Sequence, residues 1–468
     1  MSLVYQIFPD RFAIGGGLSS AEKLARPEFA GFEKAPSWDA RPRPTGRELF
    51  GGDLDGVAER LDHVRSLGAS AVYLTPIFDA PSSHRYDTRD FRAVDARLGA
   101  DAAFDRLATA TRAAGLGLIL DAAFNHTGEE HPWLRDHADW YARLPDGRPV
   151  PWRGHRHLPE LRLEEGELRH ELVTGERSVV RTWLRRGATG WRIDCANDCG
   201  IDACALVTRA AAEEGAPDGV VGELWSWAAP YLRAGALDGT MNYCFREVVL
   251  SLLRAEIAPE QASATLEAIA RDYPLRGLLR SWNLLGSHDT PRVRTLLGER
   301  SHAAFVLAFT FPGVPLLYYG DEIGLEGGED PDCRRAMPWD RSRWDLALLE
   351  RLKLLAALRA ELRALREGDY LPLLAPGAVA FARTTSDPRE TVVVVVNSGE
   401  RRLEPRIWVP RTELFDAMPL RDRLSGAEAR MRGGALKVAL GPGESAILVP
   451  SPREASGYDF MKRVDGLS

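Results

Sequence analysis

The stretch Gly190-Trp191-Arg192-Ile193-Asp194 constrains the rest of the chain more than any other. Apolar and polar residues alternate, and Gly187 and Gly190 punctuate its start, so it reads as a short buried strand. Side chains alternate along a strand, which puts Arg192 and Asp194 on one side and Trp191 and Ile193 on the other. An arginine beside an aspartate favours the ionised carboxylate, so Asp194 is expected to stay unprotonated, as a covalent nucleophile must. A lone R-x-D is more often a structural ion pair. Three more strand-like stretches change that balance by ending in polar groups. Leu118-Ile119-Leu120-Asp121 leads to Asn125-His126, and Gly219-Val220-Val221-Gly222 leads to Glu223-Leu224-Trp225. Asn283-Leu284-Leu285-Gly286-Ser287 leads to His288-Asp289. Laid parallel in one barrel, the four would gather those ends on its C-terminal face, where such barrels place their chemistry.

The alternation runs on through the chain. Besides these four, strands are expected at 3–8, 71–75, 239–243 and 314–319. Helical spacing marks 56–67, 101–114, 180–185, 203–214, 247–256, 261–271, 303–311 and 344–366. Eight β–α units imply an α/β fold, a (β/α)8 TIM barrel. Residues 13–50 read as a long Gly- and Pro-rich loop. Residues 127–168, Pro- and His-rich, exceed an ordinary connection and form an excursion over the barrel mouth. Past 367, short β-rich runs such as Val392–Val396 lie between turn residues and indicate an antiparallel β-sandwich. The expected division is 1–126 with 169–366 for the barrel, 127–168 for an inserted domain, 367–450 for the sandwich and 451–468 for a tail.

Composition excludes several function classes. A net charge of −7 with no basic run argues against nucleic-acid binding. No signal-peptide pattern opens the sequence and no apolar run is long enough for a bilayer, so a soluble, cytoplasmic protein is expected. Cys195, Cys199 and Cys204 cluster without the C-x-x-C spacing of a zinc site, and read as buried reduced thiols.

The motifs D-A-A-F-N-H at 121–126, G-W-R-I-D-C-A-N-D at 190–198, G-E-L-W at 222–225 and S-H-D at 287–289 resemble the four ordered sequence regions of the α-amylase family of glycoside hydrolases. The likeness is closest to its neopullulanase, cyclomaltodextrinase and maltogenic amylase branch. Y-Q-I-F-P-D-R-F at 5–12, G-G-D-L-D-G at 51–56, Y-L-T-P-I-F at 73–78, Y-D-T at 86–88, M-N-Y at 241–243 and D-P-D-C-R-R at 330–335 extend it to about residue 340.

Retaining glycoside hydrolysis needs one ionised carboxyl group and one that holds a proton, on opposite sides of the bond. Glu223, at the end of an apolar strand and before Leu224 and Trp225, suits the acid. The resemblance implies the same division: Asp194 the nucleophile, Glu223 the acid/base and Asp289 a third carboxylate that stabilises the transition state. It also implies that His126 and His288 bind hydroxyls of the cleaved sugar, that Tyr86 stacks on its ring, and that Asp330 and Arg334 reach the next sugar. Asp87, Arg192 and Trp225, the last on the leaving-group side, complete the expected binding set. Seven loop aromatics, Phe29, Phe32, Trp38, Trp133, Trp140, Tyr141 and Trp152, are expected to wall the sugar chain.

The chain departs from the family pattern in several places. The branch's extra N-terminal domain is missing before residue 3, so a monomer, or a dimer not built on that domain, is expected. Ala13-Ile14-Gly15-Gly16-Gly17 replaces a loop that gathers calcium ligands in many members, so no cofactor is expected and calcium is not expected to be essential. Leu158-Pro159-Glu160-Leu161-Arg162 replaces M-P-x-L-N, and Asp198 stands where the branch has Glu. The expected activity is cleavage of α-1,4-glucosidic bonds in maltooligosaccharides, cyclodextrins or pullulan, with transglycosylation as a variant. An α-glucosidase or a trehalose-synthase-like isomerase shares the trio. A metal-dependent barrel hydrolase, with Asp121, His126, Asp194, Glu223, His288 and Asp289 as ligands, is the rival from another class.

Overall fold

The computed structural model describes residues 1–411, Leu414 and 418–451; the expected tail, apart from Ser451, lies outside the described residues. Eight barrel strands follow in chain order: β1 (Val4–Ile7), β2 (Ala71–Leu74), β3 (Gly117–Ala122), β4 (Gly190–Ile193), β5 (Gly219–Leu224), β6 (Gly239–Asn242), β7 (Trp282–Leu284) and β8 (Val314–Tyr318). Each pairs in parallel with its chain neighbours, and β8 closes on β1 with Val4 opposite Leu316. Closure leaves no strand edge open and sends every C-terminal end to one face.

The strands form where the alternation placed them. Inward-facing Val4, Tyr73, Ile119, Val221, Met241, Trp282 and Leu316 pack into a central cluster. Gly190 is required by register: a Cβ there would lie 2.7 Å from the Gly219 carbonyl oxygen on the paired strand. The helix Ala100–Ala113 buries Ala103, Phe104, Leu107, Ala108 and Thr111, the stripe that 3.6-residue spacing dictates. Among the described residues no helix is long and apolar enough to cross a membrane.

Several boundaries differ from expectation. The helix expected at 56–67 is two, Leu54–Glu59 and Leu61–Ser66, broken at Arg60. The one expected at 344–366 becomes Leu346–Glu361 and Arg363–Glu367, because Leu362 is extended with ψ 100°. The helix after β4 begins early, at Ala196, and bends at Gly200, where φ is +81°. Strand β7 stops at Leu284, so Gly286–Asp289 leave the ladder as a loop.

Beyond the barrel, a six-stranded antiparallel sheet runs in the order Asp369–Pro372, Val379–Thr384, Val392–Val396, Ser445–Pro450, Pro419–Asp422, Glu428–Arg430. A two-stranded ribbon, Arg406–Trp408 with Ala435–Lys437, covers one face. The all-valine strand is buried on both sides: Val393 and Val395 join the sandwich core, Val392, Val394 and Val396 the core shared with the barrel. Two wholly buried arginines stitch the junction. Arg359 donates to the carbonyls of Ser2, Phe309 and Leu365, and Arg383 to those of Thr310, Leu365 and Gly368.

Candidate active site

The four polar strand ends meet on the C-terminal face, around Arg192. This guanidinium is fully buried on β4, with Nη1 2.8 Å from Asp121 and 2.7 Å from Asp194, and Nη2 3.0 Å from Glu223. The main chain carries the ladder one residue further, Asp194 N–H donating to the Ala122 carbonyl at 3.1 Å, which fixes the height of its side chain. Glu223 is inside β5. Its Oε1 accepts from the Trp225 indole at 3.0 Å and its Oε2 from the Cys195 N–H at 3.1 Å.

Three carboxylates therefore share one guanidinium, and this alters the electrostatics expected for Asp194. Burial pushes its carboxyl well above the usual carboxylate range; Arg192 pulls it back, and the charges of Glu223 and Asp121 push it up again. Arg192 therefore does not by itself set the Asp194 carboxyl, contrary to the expectation from the R-x-D pattern: desolvation and two neighbouring acids outweigh one arginine. Asp121, likewise raised by burial, accepts from the phenols of Tyr73 at 2.6 Å and Tyr86 at 2.9 Å.

The other strand ends supply neutral imidazoles. His288 is wholly buried and held well below the ordinary histidine value, first by burial and then by Arg334. The Tyr86 hydroxyl gives its proton to Asp121, so the His288 Nε2 contact at 2.6 Å is donated by the imidazole, and Nδ1 accepts from Gln6 at 2.7 Å. His126 is pulled down to about 4, by burial first and then by the neighbouring His84. Its buried Nε2 has no hydrogen-bond partner, while its ring stacks on Trp152 with centroids 4.9 Å apart. Asp289 follows His288 on the loop, and Arg334 ties it in at 3.1 Å while holding Asp330 at 2.9 Å.

These groups line a cleft of about 340 Å³. A larger groove, about 580 Å³, lies between the helix Ser301–Thr310 and the C-terminal sheet, remote from the carboxylates; the chemistry follows the carboxylates. Of the expected set, Asp194, Glu223, Asp289, Tyr86, His126, Trp225, Asp330 and Arg334 line the cleft. Arg192 and His288 lie beneath, bonded to them. Asp87 is apart: it is buried behind His84, 4.0 Å from its Nδ1, and accepts from Ser82. The Tyr86 ring has two nearly parallel neighbours, His288 with its centroid 5.6 Å away and meeting the phenol oxygen, and His84 at 6.1 Å.

Six of the seven loop aromatics were misplaced. Phe29 and Phe32 pack with Leu24 and Leu49, Trp38 packs with Phe50, and Trp133, Trp140 and Tyr141 join the barrel core. Only Trp152 faces the cleft, its neighbours there including His84, His155 and His157. Aromatic content alone does not separate a loop's own small core from a ligand wall. Sequence reasoning also missed Gln6, Tyr73 and Cys195. Gln6 and Tyr73 lay within the motifs at 5–12 and 73–78, and Cys195 stood next to the candidate nucleophile, but none of these patterns named a partner.

Among the described residues, one group of acidic, histidine or cysteine side chains has ligand atoms close enough to share a metal ion: Asp194, Cys195 and Glu223, all within 4.8 Å of one another. Arg192 already pairs with both of its carboxylates, at Asp194 Oδ1 and Glu223 Oε1, and its charge opposes a second cation beside them. The six-residue ligand set does not converge.

Residues 6–148 and 152–347 match the family model described as the alpha amylase catalytic domain. The chain is 34% identical over 475 residues to neopullulanase 2 of Thermoactinomyces vulgaris, an alignment covering 96% of this chain and 77% of that protein. It is 35% identical over 430 residues to the cyclomaltodextrinase of Geobacillus thermopakistaniensis, covering 86% and 69%. The solved cyclic α-maltosyl-(1→6)-maltose hydrolase of Arthrobacter globiformis, in complex with maltose, superposes with a TM-score of 0.79 at 32% identity, over 96% of this chain and 98% of that one. The family match across most of the barrel, with relatives of this identity along nearly the whole chain, makes the protein a member of the alpha-amylase family of glycoside hydrolases.

Proposed function

We propose that the protein is a retaining α-glucan hydrolase that cleaves α-1,4-glucosidic bonds of short maltooligosaccharides and related dextrins. The observation that carries this reading is the pair of carboxyl groups at the floor of the cleft, with oxygens of Asp194 and Glu223 within 4.8 Å of each other. That is the close spacing of enzymes in which one carboxylate attacks; inverting enzymes leave room for a water, about 6.5–9.5 Å. Glu223 gives a proton to the leaving oxygen while Asp194 attacks the anomeric carbon. Glu223 then takes a proton from water, which releases the sugar from Asp194. Asp289, anchored by Arg334, faces the positive charge that develops on the ring. The orphaned Nε2 of His126 is suited to a sugar hydroxyl, while the Nε2–H of His288 is committed to Tyr86 and orients it. Names borne by the relatives, neopullulanase and cyclomaltodextrinase, support pullulan and cyclodextrins as substrates beside linear maltodextrins.

We take the active unit to be a monomer or a dimer, and sedimentation measures which. Five free cysteines support a reducing, cytoplasmic setting. We also take calcium to be dispensable. The Gly15 and Gly16 N–H groups point at Asp53 and Glu59, so this loop presents donors, the wrong polarity for a cation. The amide of Asn125 faces His126.

The test is direct. NMR of the first product released from a maltooligosaccharide should show the α anomer, and Asp194→Asn should lose several orders of magnitude in kcat with its fold intact. An initial β product, or near-normal turnover by the folded variant, overturns the reading. Rates and products on maltotriose, pullulan and β-cyclodextrin, side by side, fix the substrate.

A further inference from the structure

We propose that Cys195 is a positioning residue that aims both reacting carboxyl groups, Glu223 through its main-chain N–H and Asp194 through its thiol. The inference rests on the hydrolase reading and extends it to a residue without a role there.

Cys195 is the hinge between β4 and the helix Ala196–Glu213. Its backbone is left-handed, φ 46° and ψ 45°, a region few non-glycine residues enter. Its N–H donates to Glu223 Oε2 at 3.1 Å, and its Sγ lies 3.2 Å from Asp194 Oδ2. The two oxygens of Asp194 thus have separate donors. Arg192 holds Oδ1 at 2.7 Å, and the thiol is the sole donor to Oδ2 among the described residues. A thiol is a weak donor, so it aligns the oxygen without binding its lone pair as tightly as a hydroxyl would. It also keeps its proton. Burial and the charges of Asp194 and Glu223 push its ionisation far up, so Cys195 is a donor here and no rival nucleophile. The titratable and charged groups facing Asp194 are Arg192 on its own strand, Asp121 on β3, Glu223 on β5, Tyr86, Cys199 on the following helix and Cys195 itself.

The experiment compares Cys195→Ser and Cys195→Ala with wild type, reading kcat and KM on maltotriose from pH 4 to 9 together with melting temperature. A hydrogen bond to the charged form of an acid lowers its pKa. Serine, the stronger donor, should move the acid limb of kcat/KM down by about half to one pH unit, and alanine should move it up by a similar amount. Both should lower kcat, by roughly threefold to tenfold, with KM nearly unchanged. Cys195→Gly, which keeps the N–H and removes the strain, should track alanine in its acid limb. Acid limbs that superimpose on wild type in serine and alanine overturn the proposal. If serine fails to fold, alanine and glycine alone decide it. Asp194→Asn in the same assay separates the two readings: an active Asp194→Asn sinks the hydrolase mechanism, whereas an inactive one with unshifted Cys195 variants sinks this inference only.

Discussion

Trp225 lies flat on Tyr243, ring centroids 3.8 Å apart and planes 16° from parallel, and its indole N–H reaches Glu223 Oε1 at 3.0 Å. Trp225 is 51% exposed, yet the stack fixes it in place, so an open tryptophan orients a catalytic acid. Trp225→Phe keeps the stack and removes the donor. It should lower kcat about tenfold, the scale of one charge-assisted hydrogen bond, with little change in KM. Trp225→Ala removes the platform too and should raise KM as well. Steady-state kinetics on maltotriose distinguish the two patterns, and equal losses in both would mean that the indole N–H does not orient the acid.

Much of this site was legible in the sequence, for a reason that individual residues show. Asp194, Glu223 and His288 lie at or just past the ends of parallel strands, and a closed barrel converts such ends into neighbours. Period-two alternation is a local signal, so it survives in the sequence. What was not legible depended on contacts between distant segments. Gln6 meets His288 across 282 residues, and the motif at 5–12 does not say which partner its glutamine finds. The opposition of burial to Arg192 at Asp194 needed three strands in register. Phe29 and Trp140 looked like ligand walls because a loop's private core and a sugar platform use the same residues. Leu362 broke a helix whose apolar pattern ran straight through it.

Stability should fall on the acid side, and His131 isolates one cause. It is buried against Trp133, its Nδ1 accepts from the Trp133 N–H at 3.2 Å, and burial lowers it from 6.5 to about 4. The folded protein takes up this proton near pH 4 and the unfolded chain near 6.5. Below pH 6.5 the unfolded state therefore binds more protons, and this contribution, complete above pH 6.5, is lost as pH falls toward 4. Asp194 and Asp121 act in the opposite direction, so the raw curve mixes signs. His131→Asn, which can still accept from Trp133, should shrink the fall in melting temperature between pH 7 and 4.5. A parallel offset, with an unchanged difference between the two pH values, would rule out a titrating His131.

Chelation tests the expectation about calcium. With the Gly15 and Gly16 amides committed to Asp53 and Glu59, and Arg192 paired with both carboxylates of the one close group of possible metal ligands among the described residues, exhaustive chelation should change melting temperature by no more than about 1 °C, since bound ligands stabilise by mass action. Activity should persist. A large drop restored by calcium alone would reveal a site that these residues do not disclose.

The last prediction concerns the wall of the cleft. Trp152 stacks on His126 at 4.9 Å and gives its indole proton to Asp198 Oδ2 at 2.8 Å, so three chain segments meet at one ring. The next residue, Arg153, is left-handed with φ 46° and lies over the same ring, its guanidinium carbon 5.1 Å from the centroid. Neither Trp152 nor Asp198 touches Asp194 or Glu223, and the stack covers the histidine whose Nε2 awaits a partner. Trp152→Ala should therefore act mainly on binding, raising KM for maltotriose about tenfold or more, the scale of a lost aromatic contact, with a much smaller change in kcat. Asp198→Asn still accepts from the indole and should leave KM close to wild type, whereas Asp198→Ala should fall between wild type and Trp152→Ala. Melting temperatures should move little, because the segment Trp152–Gly154 has no buried residue. A Trp152→Ala enzyme with normal KM and depressed kcat would show that the stack serves the chemistry through His126 and does not act as a wall for the sugar.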